Sequence, residues 1–155
     1  MEENSCCFLG HRKLNETELS KTELIDIIEG LIMFKNVDTF FFGSKSQFDT
    51  MCLAIVTKLK ERYSHIKRIY VRAEFPYIND DYKAYLLNFY DETYFPENLY
   101  DAGKAVYVER NYEMIDKSKY CVFYYNEACV PHTRKSGTKI ALDYAVKKNK
   151  VVIKV

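Results

Sequence analysis

A chain of 155 residues suits one domain around a single core. Its 23 Lys and Arg nearly balance 22 Asp and Glu, leaving a formal net charge of +1, whereas proteins that work mainly through nucleic-acid phosphates carry a larger basic excess. No apolar stretch reaches membrane-spanning length and no basic-then-apolar leader opens the chain, so the sequence reads as cytoplasmic, without a membrane partner.

The predicted elements alternate along the chain. Cys6–Leu9 reads as a short buried strand, and Gly10-His11-Arg12 forms the turn after it. Glu18 to about Phe34 has apolar residues at helix spacing: Leu19, Leu24, Ile27, Ile28, Leu31 and Ile32. Thr17 or Ser20 caps its start, Ser20 being followed three residues later by Glu23. Thr39–Phe42 is an aromatic strand ended by Gly43-Ser44-Lys45-Ser46. A second helix follows from Gln47 to Tyr63, with Met51, Ala54, Ile55 and Leu59 inward. Lys67–Arg72 is a β-branched strand. The first half therefore reads β-α-β-α-β, which predicts a parallel sheet with right-handed crossovers.

Pro76 and Asn79-Asp80-Asp81 break this rhythm. Asp81–Phe89 is then predicted as a helix, Tyr90–Phe95 as a strand stopped by Pro96, and Glu97–Lys104 as a loop. Val106–Lys117 reads as a helix, Tyr120–Tyr125 as an apolar strand, and 126–135 as a loop. Ser136-Gly137-Thr138 opens the last helix, and Val151–Val155 closes the chain as a strand. The fold class is α/β, a single doubly wound domain with a mostly parallel sheet of about five to six strands flanked by helices.

The five cysteines, Cys6, Cys7, Cys52, Cys121 and Cys129, are odd in number and form no C-x-x-C pair. Neither a disulfide framework nor a zinc site is signalled, and no metal and no cofactor is called for. His65 and His132 have no partner at a spacing that suggests a ligand set or a triad. The 14 Tyr and 10 Phe crowd the middle of the chain. Tyrosine suits half-wet surfaces, so this region offers surface for a homodimer.

Three polar, glycine-bearing loops follow predicted parallel strands and so share one side of the sheet: Gly10-His11-Arg12, Gly43-Ser44-Lys45-Ser46, and the segment running into Ser136-Gly137-Thr138. The second and third lead straight into helices, whose N-terminal N–H groups suit anions. Serine there is first of all a cap. No Walker loop and no G-x-G-x-x-G occurs. Arg12 supplies a fork of donors for phosphate or carboxylate, and His11 shapes the turn. Asp49, one turn into the second helix, either meets the helix dipole or holds ribose hydroxyls and acts on a glycosidic carbon. Arg110 and Asn111 either belong to a solvated helix face or reach the rim of the same cleft.

The order of these motifs is similar to that of a bacterial group in the SLOG superfamily, related to the Lonely Guy (LOG) phosphoribohydrolases and the DNA-processing Smf proteins. The resemblance rests on Gly10-His11-Arg12, Gly43 to Phe48-Asp49, Tyr107-Val108-Glu109-Arg110-Asn111 with Met114-Ile115-Asp116, Val122–Asn126, and Lys135-Ser136-Gly137-Thr138 with Ala141 and Tyr144-Ala145. It implies a Rossmann-like domain that binds nucleotides or nucleotide-derived ligands. Two departures stand out. Lonely Guy enzymes carry P-G-G-x-G-T-x-x-E, and here Ala141 replaces the essential glutamate, with Asp143 the nearest acid. Relatives also read G-G-x-x-G-F-D where this chain has Gly43-Ser44-Lys45-Ser46-Gln47-Phe48-Asp49.

Three functions follow as expectations. The first is binding, extending to sensing, of a nucleotide-like small molecule, with phosphate on Arg12, Ser44, Ser136, Gly137 and Thr138 and ribose on Asp49. The alternative is hydrolysis of an N-glycosidic bond in a nucleoside monophosphate or related nucleotide, with Asp49 as the catalytic carboxylate. The third is a DNA-associated role, opposed by the near-neutral charge and the lack of an appended DNA-binding domain.

Overall fold

The computed structural model describes residues 2–14, 20–43, 45–125 and 136–155. Among the described residues six parallel strands form one sheet flanked by five α-helices, so the α/β expectation holds. In chain order the elements are β1 Ser5–Gly10, α1 Lys21–Lys35, β2 Thr39–Phe42, α2 Gln47–Lys60, β3 Lys67–Val71, α3 Asp80–Leu86, β4 Glu92–Tyr94, α4 Val106–Asp116, β5 Tyr120–Tyr124, α5 Gly137–Lys147 and β6 Val151–Lys154. The spatial order is β4-β3-β2-β1-β5-β6. Strand order reverses at β1, which pairs with β2 on one side and β5 on the other.

Both faces of this sheet are covered, which explains why its strands read as apolar runs rather than alternating ones. Along β1, Cys6 and Phe8 point to one face and Cys7 and Leu9 to the other. The first face packs Phe8, Phe40 and Phe42 under Leu24 and Ile28 of α1 and Phe48, Cys52 and Ile55 of α2. The second packs Cys7, Phe41 and Phe123 under Met114 and Ile115 of α4 and Ala141, Leu142 and Ala145 of α5.

Local chemistry sets the helix starts. Ser20, Ser46, Asn79 and Ser136 each accept a hydrogen bond from the backbone N–H three residues on, at Glu23, Asp49, Tyr82 and Lys139. Ser20 is thus the cap of α1, while Thr17 lies outside the described residues, as do Glu18 and Leu19. Asn36 and Asn149 follow helix ends in the left-handed region, which asparagine tolerates.

Several boundaries differ from expectation. Helix α2 stops at Lys60 rather than Tyr63, and Ala54 is exposed. The buried stripe of α2 runs Phe48, Cys52, Ile55, Val56 and Leu59, and Ala54 falls outside that three-and-four spacing. Strand β4 is shorter than Tyr90–Phe95, its three residues pairing with Ile69, Tyr70 and Val71. Tyr90 instead packs its ring on Tyr70, at 4.9 Å between centroids, and on Phe42. Helix α3 ends at Leu86, three residues before the predicted Phe89. No helix among the described residues is long and apolar enough to cross a membrane.

Candidate functional site

A cleft of about 440 Å³ opens at the carboxyl ends of β2 and β3. In an open parallel sheet this is the side on which ligands bind. Its lining joins Arg12 from the turn after β1, Gly43, Lys45 and Ser46 between β2 and α2, and Tyr70 at the end of β3. Arg72, Ala73, Glu74 and Phe75 contribute four consecutive residues, and Tyr82, Tyr107 and Arg110 complete the wall. Strand β3 has ended at Val71, and the backbone bends at Ala73 and Glu74. Phe75 follows with φ of 59°, in the left-handed region, where a bulky aromatic is rarely found.

Arg72 is the least expected member. It retains 8 % of its surface, yet its Nε and Nη1 have no hydrogen-bond partner among the described residues. Burial lowers its pKa from the usual guanidinium value, and the nearby Tyr82, Tyr100 and Tyr70 hydroxyls partly offset that shift. A buried cation is normally paired, because desolvating it is costly. The sequence signalled nothing here, since an arginine ending a predicted strand reads as a solvated side chain.

Arg110 is also buried but is committed within the protein. Its Nη1 donates to the Gly43 carbonyl at 2.5 Å and its Nε donates to Asn111 Oδ1 at 2.9 Å. Asn111 therefore orients Arg110 and does not line the cleft itself. The guanidinium also lies 5.8 Å from the Tyr107 ring centroid, a cation–π distance. Gly43 allows this close packing: a Cβ there would sit 2.6 Å from both Arg110 Cδ and Met114 Sδ.

The segment after β1 is tied to α2. The Gln47 N–H donates to the Arg12 carbonyl at 2.8 Å, and the Leu14 N–H donates to Gln47 Oε1 at 2.8 Å. His11 packs between the Tyr124 and Tyr125 rings, with its backbone N–H on the Tyr124 carbonyl. Gly10 faces the Phe48 ring.

The structure thus brings Arg12, Gly43 and Arg110 of the expected site together. Ser136 caps α5, Gly137 is exposed and Thr138 is buried, and none of the three lines this cleft. Ser44 lies outside the described residues, as does the loop 126–135 with Cys129, Pro131 and His132. The lining residues that sequence reasoning missed are Arg72, Glu74, Phe75, Tyr70 and Tyr82. Tyr107 stands in the sequence reading only as part of a motif.

Asp49 sits below the lining. It is 3 % exposed, and its Oδ1 has no hydrogen-bond partner. Burial pushes its pKa well above the usual carboxylate range, more than the Arg110 charge and the Gly43 amide pull it down. The folded state therefore binds this proton more tightly than the unfolded state does. Its contribution to stability is greatest below about pH 4, the unfolded value, and is lost as pH rises through the higher folded value. Asp49→Asn is expected to remove that decline, which amounts to up to about 1.4 kcal/mol per pH unit across the window. Urea unfolding of both proteins from pH 4 to pH 7.5 checks it, and parallel curves would show that Asp49 titrates normally.

Among the described residues no group of three or more His, Cys, Asp or Glu side chains converges to hold a metal ion. In comparison with known proteins, the chain matches no family model and no curated protein.

Proposed function

We propose that this chain binds a nucleotide or nucleotide-derived small molecule in the cleft at the ends of β2 and β3, and that its role is recognition or sensing of that ligand. The carrying observation is Arg72, a buried guanidinium with two nitrogens that have no protein partner, lining a cleft. Guanidinium pairs with phosphate through its N–H donors, and Arg72 brings such a group to the cleft wall without committing it to a partner among the described residues. Arg12 and Lys45 add positive charge on the same wall, while Tyr70, Phe75, Tyr82 and Tyr107 offer aromatic faces for a base. The motif order that resembles the SLOG superfamily supports the same ligand class.

The hydrolase alternative as drawn through Asp49 asks for that side chain at the sugar, and Asp49 lies under the lining, which counts against that residue in the role.

Thermal unfolding with a panel of nucleoside mono-, di- and triphosphates, NAD and ADP-ribose tests the proposal. Stabilisation by at least one member, rising with its concentration, is the expected outcome. A flat response across the panel would overturn it. Release of free base from any member would instead move the reading to the hydrolase.

A further inference from the structure

The charges on the cleft are unevenly matched. Arg12, Lys45, Arg72 and Arg110 bring positive charge, and Glu74 is the one carboxylate among the described lining residues. A carboxylate accepts hydrogen bonds and repels phosphate, so Glu74 suits a part of the ligand that donates. Arg72 lies two residues before it in the chain and Phe75 one residue after, and all three line the cleft. One short segment thus offers the cleft a cation, a carboxylate and an aromatic ring, partners for the phosphate, the sugar hydroxyls and the base of a nucleotide.

We infer that Glu74 reads the sugar, accepting hydrogen bonds from the vicinal hydroxyls of a ribose, and that the site therefore selects ribonucleotides over 2′-deoxyribonucleotides. This rests on the nucleotide reading of the cleft. Glu74 is held in place for that role, because its Oε1 accepts a hydrogen bond from the Tyr107 hydroxyl, across from the first turn of α4. A carboxylate has about four lone-pair positions, so the Tyr107 contact leaves room for a diol. Tyr107 is in turn packed beneath the Arg110 guanidinium, which is anchored on Gly43. Glu74 and Phe75 line the same cleft, Glu74 at the backbone bend and Phe75 in the left-handed region after it. Asp49, the carboxylate expected from the sequence to meet ribose, stays below the lining as a neighbour of Arg110.

The test compares matched pairs on the full chain by titration calorimetry: AMP with 2′-deoxy-AMP, and likewise the guanine, cytosine and uracil pairs. Wild type is expected to bind the ribonucleotide of its preferred base ~10-fold more tightly, the worth of a hydrogen bond to a charged group. Glu74→Gln keeps the shape and removes the charge. It is expected to reduce that ratio to near one by weakening the ribonucleotide alone. Glu74 is exposed, so its unfolding curve without ligand should match wild type. Equal affinity for both sugars in wild type would overturn the assignment of Glu74 while leaving nucleotide binding intact. So would a ratio that persists in Glu74→Gln. Failure of every ribo- and deoxyribonucleotide to bind wild type would overturn the nucleotide reading itself, and this inference with it.

Discussion

Arg72→Ala is expected to weaken nucleotide binding by roughly 10–100-fold while leaving the unliganded protein at least as stable as wild type. The two effects have one origin. In the unliganded fold the guanidinium is desolvated without recovering hydrogen bonds at Nε and Nη1, so it costs stability there. A phosphate bound beside it would neutralise the guanidinium charge, and the stabilisation would appear as affinity. Residues that serve a site often trade stability for function in this way. Arg72→Lys should fall between the two, since it keeps a charge but loses the planar fork. Calorimetric titration with the tightest member of the panel, beside urea unfolding of the unliganded proteins, measures both signs. Unchanged affinity in Arg72→Ala would remove this residue from the site.

Gly10→Ala is expected to destabilise the protein by about 1–3 kcal/mol, a large effect for one methyl group. Gly10 is not held by backbone conformation, because its φ is not positive. It is held by a neighbour. A Cβ at this position would lie 2.5 Å from Phe48 Cδ2, 2.8 Å from its Cγ and 2.9 Å from its Cβ. Turning the ring clears the first atom but not the last, which is fixed to the backbone of α2. The helix must therefore shift at its first turn, where Ser46 caps it and the Gln47 N–H meets the Arg12 carbonyl. The strain reaches the cleft, so ligand affinity should fall together with stability. A double-mutant cycle with Phe48→Leu checks the mechanism. The smaller side chain should absorb part of the cost of Gly10→Ala, with coupling of about 0.5–3 kcal/mol. Strict additivity would show that the two residues do not press on each other.

Much of the sheet could be read from residue order alone. Strands β1, β2 and β5 are buried on both faces, so Cys6–Leu9, Thr39–Phe42 and Tyr120–Tyr124 stand out as apolar runs. Helix caps were legible at Ser20 because the capping signal is local. The cleft was legible in part. Arg12 and Gly43 were found because turns after parallel strands meet on one side of a sheet. Arg72 and Glu74 were not, because their neighbours in the fold, Tyr82 and Tyr100 for the first and Tyr107 for the second, are not local in sequence. Phe75 shows the limit most clearly. Asparagine at 36 and 149 hints at a left-handed backbone, whereas phenylalanine argues against one, so the positive φ at 75 carries no local signal. The electrostatic surroundings of Asp49 likewise include Arg110, a residue far away in sequence.

The cysteines of the sheet and of α2 give the molecule a built-in clock. Cys6, Cys7, Cys52 and Cys121 are free and fully enclosed, and burial raises the thiol pKa of the first three, which disfavours thiolate. A thiol reagent can meet them only when the strands and helix above them part. Their rate of modification therefore counts opening events of the central sheet, without any added label. Because a bound ligand opposes opening, the same rate read with and without ligand reports occupancy of the cleft from the opposite side of the fold's own energetics.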